Sequence, residues 1–263
     1  MEMNRLEYKY LVPLELLPTL RQQILPYVEL DYYASITGIG NYTVRSIYFD
    51  TADLKYFFDK IEGLEVRKKV RARVYNSLNE SSMLFLEIKR KNQNTVMKSR
   101  AKFNYKCLPE LFTTKENTDR LFRSILDEEN YLNLKSFYYH VYKDVLHPVI
   151  LICYEREAYF HKFNKTLRIT MDLNLRSFLT NQLDQVCDEE KIVNCICDKF
   201  ILEVKFYGGL PVWLNNVIAS LHLNRQAVSK YTICLEKNMK NENLNSRYRS
   251  VNHNILKSAN FGY

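Results

Sequence analysis

Arg71 and Arg73, Glu87 and Lys89, Lys98 and Arg100, and Glu203 and Lys205 stand as pairs two residues apart. On an extended strand, that spacing puts both members of a pair on one face. Arginine forks match phosphate oxygens two at a time, and lysine supplies a point charge. A glutamate among such cations is the ligand type that a hard dication takes when it also binds substrate phosphates. Phosphoryl transfer asks little covalent chemistry of a protein and a great deal of positioning and charge neutralisation. The chemistry this pattern fits is therefore the holding of a polyanion and the transfer of its phosphoryl groups, without a Ser-His-Asp arrangement.

The faces extend beyond the pairs. Leu64–Tyr75 carries Glu65, Arg67, Lys69, Arg71 and Arg73 on one side against Val66, Val70, Ala72 and Val74. Met83–Lys91 sets Glu87, Lys89 and Lys91 against Leu84, Leu86 and Ile88, and Val96–Phe103 adds Lys98, Arg100 and Lys102. Lys199–Tyr207 sets Glu203 and Lys205 against Phe200, Leu202, Val204 and Phe206. A solvated sheet face mixes both charge signs with Ser, Thr and Gln, whereas these faces are mostly cationic. Several such strands closed into a barrel would make a basic lumen.

Blander accounts stand beside this one. A lone Arg-x-Arg is an ordinary exposed basic strand, and Glu203 with Lys205 is equally a cross-strand ion pair on a solvated face. Glu87 reads either as a metal ligand or as the neutraliser of a neighbouring Arg; Glu7 is open in the same way. Asp172 falls at a strand end, where turn carboxylates are common. The five histidines and six cysteines show no metal spacing, and Cys195 and Cys197 have only one residue between them.

The positioning elements are eight strands and about four helices. The strands are Arg5–Val12, Tyr42–Phe49, the three long basic strands, Val149–Tyr159, Lys165–Leu173 and Lys199–Tyr207. The helices are Pro13–Val28, interrupted at Pro18, then Ala52–Ile61, the segment Leu108–Leu146, and Val212–Leu221. Asp50 and Thr51 are the expected caps of the second, with Leu54, Phe57, Phe58 and Ile61 as its apolar stripe. In the third, Leu111, Leu121, Phe122, Ile125 and Leu126 are the expected buried positions. Eight strands close a barrel wide enough for side chains or one small ligand, and helices cover its apolar outside. One domain over residues 1–237 and a loosely held polar tail over 238–263 are expected.

The chain has 263 residues, 46% of them hydrophobic, and a formal charge of +8. That is enough for a substantial core, and it favours anionic partners. Charge gathered on alternating faces points to an enclosed anion site; a nucleic-acid or membrane reader wears its charge outside. The start has neither the basic region nor the apolar core of a signal peptide. The longest apolar run, Val149–Tyr154, is too short to cross a bilayer. A reduced, cytoplasmic protein is expected.

Eight motifs occur in order: Arg5-Leu6-Glu7-Tyr8-Lys9-Tyr10, Ser46-Ile47-Tyr48-Phe49-Asp50-Thr51, Lys69-Val70-Arg71-Ala72-Arg73-Val74-Tyr75, Leu86-Glu87-Ile88-Lys89-Arg90-Lys91, Tyr154-Glu155-Arg156-Glu157-Ala158-Tyr159, Leu167-Arg168-Ile169-Thr170-Met171-Asp172, Leu202-Glu203-Val204-Lys205-Phe206 and Ser229-Lys230-Tyr231. Over residues 4–237 the chain resembles the VTC (vacuolar transporter chaperone) polyphosphate polymerase domain, a branch of the triphosphate tunnel metalloenzymes. The resemblance implies an α+β fold: an eight-stranded antiparallel β-barrel, the triphosphate tunnel, surrounded by helices. It implies transfer of the γ-phosphate of ATP to a growing polyphosphate or pyrophosphate acceptor with Mn²⁺ or Mg²⁺. Lys9, Arg71, Arg73, Lys98, Arg156, Arg168 and Lys230 are then the phosphate-binding cations and Glu203 the metal-binding carboxylate; the alternating faces add Lys89, Arg100 and Lys205 to the phosphate set, and Glu7 and Glu87 stand behind Glu203 in the metal set. Lys230, Arg71, Arg73 and Arg168 are the expected catalytic set. Arg5 stands where the wider superfamily carries a first carboxylate, a departure that leans towards polymerase over triphosphatase. Hydrolysis of tripolyphosphate or nucleoside triphosphates, and a non-catalytic polyphosphate-binding module, are the alternatives. The resemblance is to a stand-alone form, with no nucleic-acid partner and no membrane segment.

Overall fold

The computed structural model describes residues 5–93, 95–109, 120, 122–190 and 192–241. Alternation decides the strands: β1 (Arg5–Pro13), β2 (Val28–Leu30), β3 (Tyr42–Asp50), β4 (Val66–Tyr75), β5 (Met83–Asn92), β6 (Thr95–Asn104), β7 (His147–His161), β8 (Arg168–Leu179), β9 (Val193–Asn194) and β10 (Lys199–Tyr207). The helices are α1 (Leu17–Ile24), α2 (Tyr32–Ile36), α3 (Lys55–Ile61), α4 (Glu128–Lys143), α5 (Val212–Ser220) and α6 (Lys230–Asn241). The hydrogen-bonded order is β1-β10-β8-β7-β3-β4-β5-β6, with short β2 and β9 attached to β7 and β8. The expected fold class, α+β on eight antiparallel strands with helices packed on them, is the one found.

The described residues gather into two compact units, one drawn from 5–44, 153–176 and 194–230 and the other from 45–152, 177–193 and 231–241. In the first unit β1 pairs with β10 and β10 with β8, both antiparallel. Val12, Ile169, Met171, Leu202 and Val204 are essentially inaccessible, and Leu20 and Ile24 of α1 and Leu214 of α5 pack on them. Removing a large side chain from such a core costs about 2–5 kcal/mol. In the second unit β4 pairs with β5 and β5 with β6, antiparallel. Val70, Ala72, Val74, Leu84, Leu86 and Ile88 face Leu134 and Phe137 of α4.

Several boundaries differ from expectation for identifiable reasons. Pro13 opens a 3-10 turn, Leu14–Leu16, and α1 begins with Pro18 in its first turn, where a missing N–H is harmless. Asp50 and Thr51 do cap α3: Asp50 accepts from the amides of Tyr56 and Phe57, and Thr51 Oγ1 from that of Lys55. The helix nevertheless starts late, because Leu54 is left-handed at φ 57. Phe58 and Ile61 are consequently exposed, and Tyr56 and Phe57 take the buried face. Ile125 is exposed too, while Phe122 is buried as expected; Leu111 and Leu121 lie outside the described residues. β8 runs on to Leu179 through Asn174, whose φ is 51. Helix α6 reaches Asn241 with Asn238 buried, and the rest of the expected tail, 242–263, lies outside the described residues.

Candidate functional site

In the first unit the polar faces of three strands meet in register. Arg168 opposes Lys205, which opposes Glu7; Thr170 opposes Glu203, which opposes Lys9. Asp172 follows Thr170 on the same face of β8. This is not a solvated face: Glu203 is 5% exposed, Asp172 1% and Thr170 0%. The ion pair expected for Glu203 is present, but it is buried.

Lys230, the first residue of α6, donates to Glu203 Oε1 at 2.9 Å, and its Nζ lies 2.5 Å from Asp172 Oδ2. Arg156 grips Asp172 with two hydrogen bonds, Nε–Oδ1 at 2.6 Å and Nη2–Oδ2 at 2.8 Å. Lys9 bridges Glu7 (2.9 Å) and Glu203 (3.3 Å), and Lys205 lies 3.4 Å from Glu203 and 3.8 Å from Glu7. Burial alone would raise the Glu203 carboxyl; Lys230, Lys9, Lys205 and Arg156 overturn that and hold it well below the usual carboxylate range. Asp172 is likewise held down against burial, by Arg156 and Lys230. Conversely, burial would lower Lys9 and Lys230, and their carboxylate partners push both up instead. Glu203, Asp172, Lys9 and Lys230 are each held in their charged forms.

Arg168 stands to one side of this cluster. Its Nη2 donates to Asp31 Oδ2 at 2.8 Å and to the Tyr42 hydroxyl at 3.3 Å, and its guanidinium lies over the Phe160 ring.

The second unit carries a different arrangement. Lys69 opposes Lys89, which opposes Lys98; Arg71 opposes Glu87, which opposes Arg100. Glu87 is 1% exposed and collects cations on both oxygens. Arg71 Nε donates to Oε2 at 2.7 Å and Arg100 Nε to Oε1 at 2.7 Å; Lys98 Nζ is 2.6 Å from Oε1. Arg73 Nη1 stands 3.9 Å away, and its Nε donates to Ser46 Oγ at 2.9 Å. Burial would raise the Glu87 carboxyl, but Arg71, Arg73, Lys98 and Arg100 drive it far down. Lys98 is lowered to about 8, first by burial and then by Arg100 and Arg71, against the pull of Glu87. Tyr75 is also lowered to about 8: burial would raise it, and Arg73 and Arg100 more than reverse that. Tyr48 accepts from Arg71 Nη1 at 2.9 Å and stacks on Tyr231, whose hydroxyl donates to Asp50 at 2.6 Å.

The expected site residues thus form two groups. Glu7, Lys9, Arg156, Arg168, Lys205, Glu203 and Lys230 belong to the first unit, and Arg71, Arg73, Glu87, Lys89, Lys98 and Arg100 to the second. Sequence reasoning undervalued Asp172. Its period-two spacing from Arg168 and Thr170 was the available signal, since the strand continues past it. Tyr48, Ser46 and Tyr154 were missed as partners of the cations; Tyr154 lies beneath both Arg156 and Lys230.

Among the described residues no group of three or more His, Cys, Asp or Glu side chains is gathered for a metal. A magnesium-type ion that shares its sphere with substrate phosphates needs only one or two carboxylates. Glu203 and Glu7, which share Lys9 and Lys205, meet that requirement. Opposite Glu203, Thr170 Oγ1 is buried without a partner among the described residues, a vacancy of hydrogen bonding that a hydrated ion's water would fill.

The VTC domain family model matches residues 4–239, so the chain belongs to the VTC domain family. Membership supports a polyphosphate- or triphosphate-related function. No curated protein matches the sequence significantly. Similar solved structures include the PH1819 protein from Pyrococcus horikoshii OT3, at 14% identity and TM-score 0.45, over 89% of this chain and 99% of that one. Another is the putative adenylyl cyclase HpAC1 from Hippeastrum, described as having a dominant triphosphatase activity, at 11% identity and TM-score 0.46, over 89% of this chain and 96% of that one. A third is the Mediator head module of Schizosaccharomyces pombe, at 10% identity and TM-score 0.39, over 84% and 92%. These likenesses are slight. Among the described residues no helix is long and apolar enough to cross a membrane.

Proposed function

We propose that this chain is a polyphosphate polymerase that transfers the γ-phosphate of ATP to the end of a polyphosphate or pyrophosphate acceptor. The cation-rich face of the second unit, with Arg71, Arg73, Lys89, Lys98 and Arg100, binds phosphate groups. In the first unit Lys230, Arg156, Arg168, Lys9 and Lys205 neutralise phosphoryl oxygens. Mn²⁺ or Mg²⁺, held by Glu203 with Glu7, supplies further positive charge to the phosphates when bound. Glu87 is left out of the metal set, because Arg71, Arg73, Lys98 and Arg100 gather on this one carboxylate, whereas Glu203 shares Lys9 and Lys205 with a second carboxylate, Glu7.

One observation carries the choice of polymerase: Glu203 and Asp172 are both locked in buried ion pairs with Lys230 and Arg156, and held down as carboxylates. Attack by water is best served by a base whose pKa lies near the working pH. A terminal phosphate oxygen is already an anion and needs none. It attacks the γ-phosphorus, the bond to the bridging oxygen breaks, and ADP leaves with that electron pair. What such an acceptor needs is cations to overcome anion–anion repulsion, and those are abundant.

Incubation with ATP and Mn²⁺, followed by a gel that resolves chain length, tests this. The expected products are ADP and chains much longer than three phosphates. Release of free phosphate alone, from ATP or tripolyphosphate, would replace the polymerase with a triphosphatase. Arg5→Glu adds a carboxylate to the exposed end of the polar face of β1, and is expected to shift product towards free phosphate.

A further inference from the structure

Helix α2 exposes aromatic and apolar side chains that the fold does not use. Tyr32 is 71% exposed and Tyr33 65%, and Ile36 is open to solvent as well. The helix is nevertheless tied to a phosphate-binding cation by a single carboxylate. Asp31 Oδ1 accepts from the Ala34 amide at 2.9 Å and so starts α2, while Asp31 Oδ2 accepts from Arg168. Tyr42 makes a second link. Its hydroxyl accepts from Arg168 Nη2, and its ring meets that of Tyr33 edge-on, with centroids 6.3 Å apart. Tyr33 in turn meets Tyr32 edge-on at 5.6 Å. The Arg168 side chain is 24% exposed, so it faces solvent beside this platform.

We propose that Tyr32 and Tyr33 form the nucleobase subsite of the donor, with Arg168 on the phosphates of the same nucleoside triphosphate. The inference rests on the phosphate-binding role given above to Arg168, and adds that this protein distinguishes a nucleotide from an inorganic polyphosphate. Every base has a π-face, and stacking on an aromatic side chain is worth about 1–3 kcal/mol per base. The Tyr32 and Tyr33 rings stand edge-on to each other, so one offers a flat face and the other a wall beside it, and the guanidinium supplies the charge that the nucleotide's phosphates complement. An inorganic chain would gain nothing from the rings. Asp31 sets the spacing, since one carboxylate fixes both the start of the helix and the arginine.

The test is calorimetric titration with ATP and with tripolyphosphate, in wild type and in the double variant Tyr32→Leu with Tyr33→Leu. Both positions are exposed, so the fold tolerates the change. The expected result is an ATP affinity lower by about tenfold, one such stacking contact, with tripolyphosphate affinity unchanged. Tyr33→Trp should retain or improve ATP binding. If ATP affinity does not move in the double variant, or falls no more than that of tripolyphosphate, the base subsite is elsewhere and the inference fails while the phosphate site stands. If wild type binds neither ligand, the phosphate-binding role of Arg168 fails, and the base subsite falls with it.

Discussion

Two lysines a short way into their strands are pushed in opposite directions. Lys9 in the first unit is raised and Lys98 in the second is lowered to about 8, although burial disfavours the charge of both. The difference lies in the company they keep. Around Lys9, three carboxylates (Glu7, Glu203, Asp172) sit among four cations (Lys9, Arg156, Lys205, Lys230). Around Lys98, one carboxylate serves four cations, and Lys89 stands next in the rung. The first cluster is close to balanced, with one cation in excess; the second has three cations in excess, and a phosphate chain would offset them. Like charges opposite one another on neighbouring strands are unfavourable in a sheet, so a rung of three lysines gains from a polyanion more than from anything else.

The sharpest way to break this comparison is to neutralise each central carboxylate in turn. Glu203→Gln should cut turnover by about a hundredfold or more and raise the Mn²⁺ concentration needed for half-activity, while tripolyphosphate binding holds or tightens. Glu87→Gln should cost only about tenfold in turnover, through loosened Arg71 and Arg100, and leave the Mn²⁺ requirement where it was. Equal Mn²⁺ dependence in both variants would remove Glu203 as the metal residue. Turnover at several Mn²⁺ concentrations decides it.

A smaller effect concerns pH. Lys98 is charged below about 8 and neutral above, and Tyr75 is neutral below about 8 and anionic above. Both changes make the second cluster less positive as pH rises. Tripolyphosphate affinity should therefore fall several-fold between pH 7 and 9.5, with a midpoint above 8 because the bound anion holds Lys98 protonated. Lys98→Arg with Tyr75→Phe should flatten the profile, measured by titration calorimetry at constant ionic strength. A wild-type profile without slope would contradict the charge deficit assigned to this cluster.

The smallest effect is a control on the opposite face of β4. There Lys68 Nζ and Tyr56 Oη both donate to Asp144, at 3.1 and 2.5 Å, just beyond α4. Asp144→Asn should lower stability by about 1–3 kcal/mol in urea unfolding and leave phosphate binding unchanged. A loss of binding there would show that the two faces of the strand are not independent.

Much of this was legible because alternation is written residue by residue. Every one of the eight expected strands exists, and the cations on β4, β5, β6 and β10 lie on the faces their spacing assigned. Pairing partners were not legible: nothing local says that Arg71, Lys98 and Arg100 all converge on Glu87. Asp172 was discounted because Asn174 looked like the start of a loop, whereas the strand tolerates a left-handed Asn and continues. Helix α6 was missed for a similar reason. Asn238 and Asn241 weaken its propensity, and the buried hydrogen bonds of Asn238 to Ser177 and to the Cys234 carbonyl are tertiary facts.

The pairing of β1 with β10, Arg5 opposite Tyr207 and Pro13 opposite Lys199, sets a timetable for biosynthesis. β1 finds its partner only once β10 has been made, on the order of ten to forty seconds later at ordinary elongation rates. Until then Tyr10 and Val12, wholly buried in the finished protein, are part of an unmatched edge on a nascent chain. Contacts so distant in sequence also fold slowly once available. Yield in a heterologous host should accordingly depend on chaperone supply and growth temperature more than on codon choice.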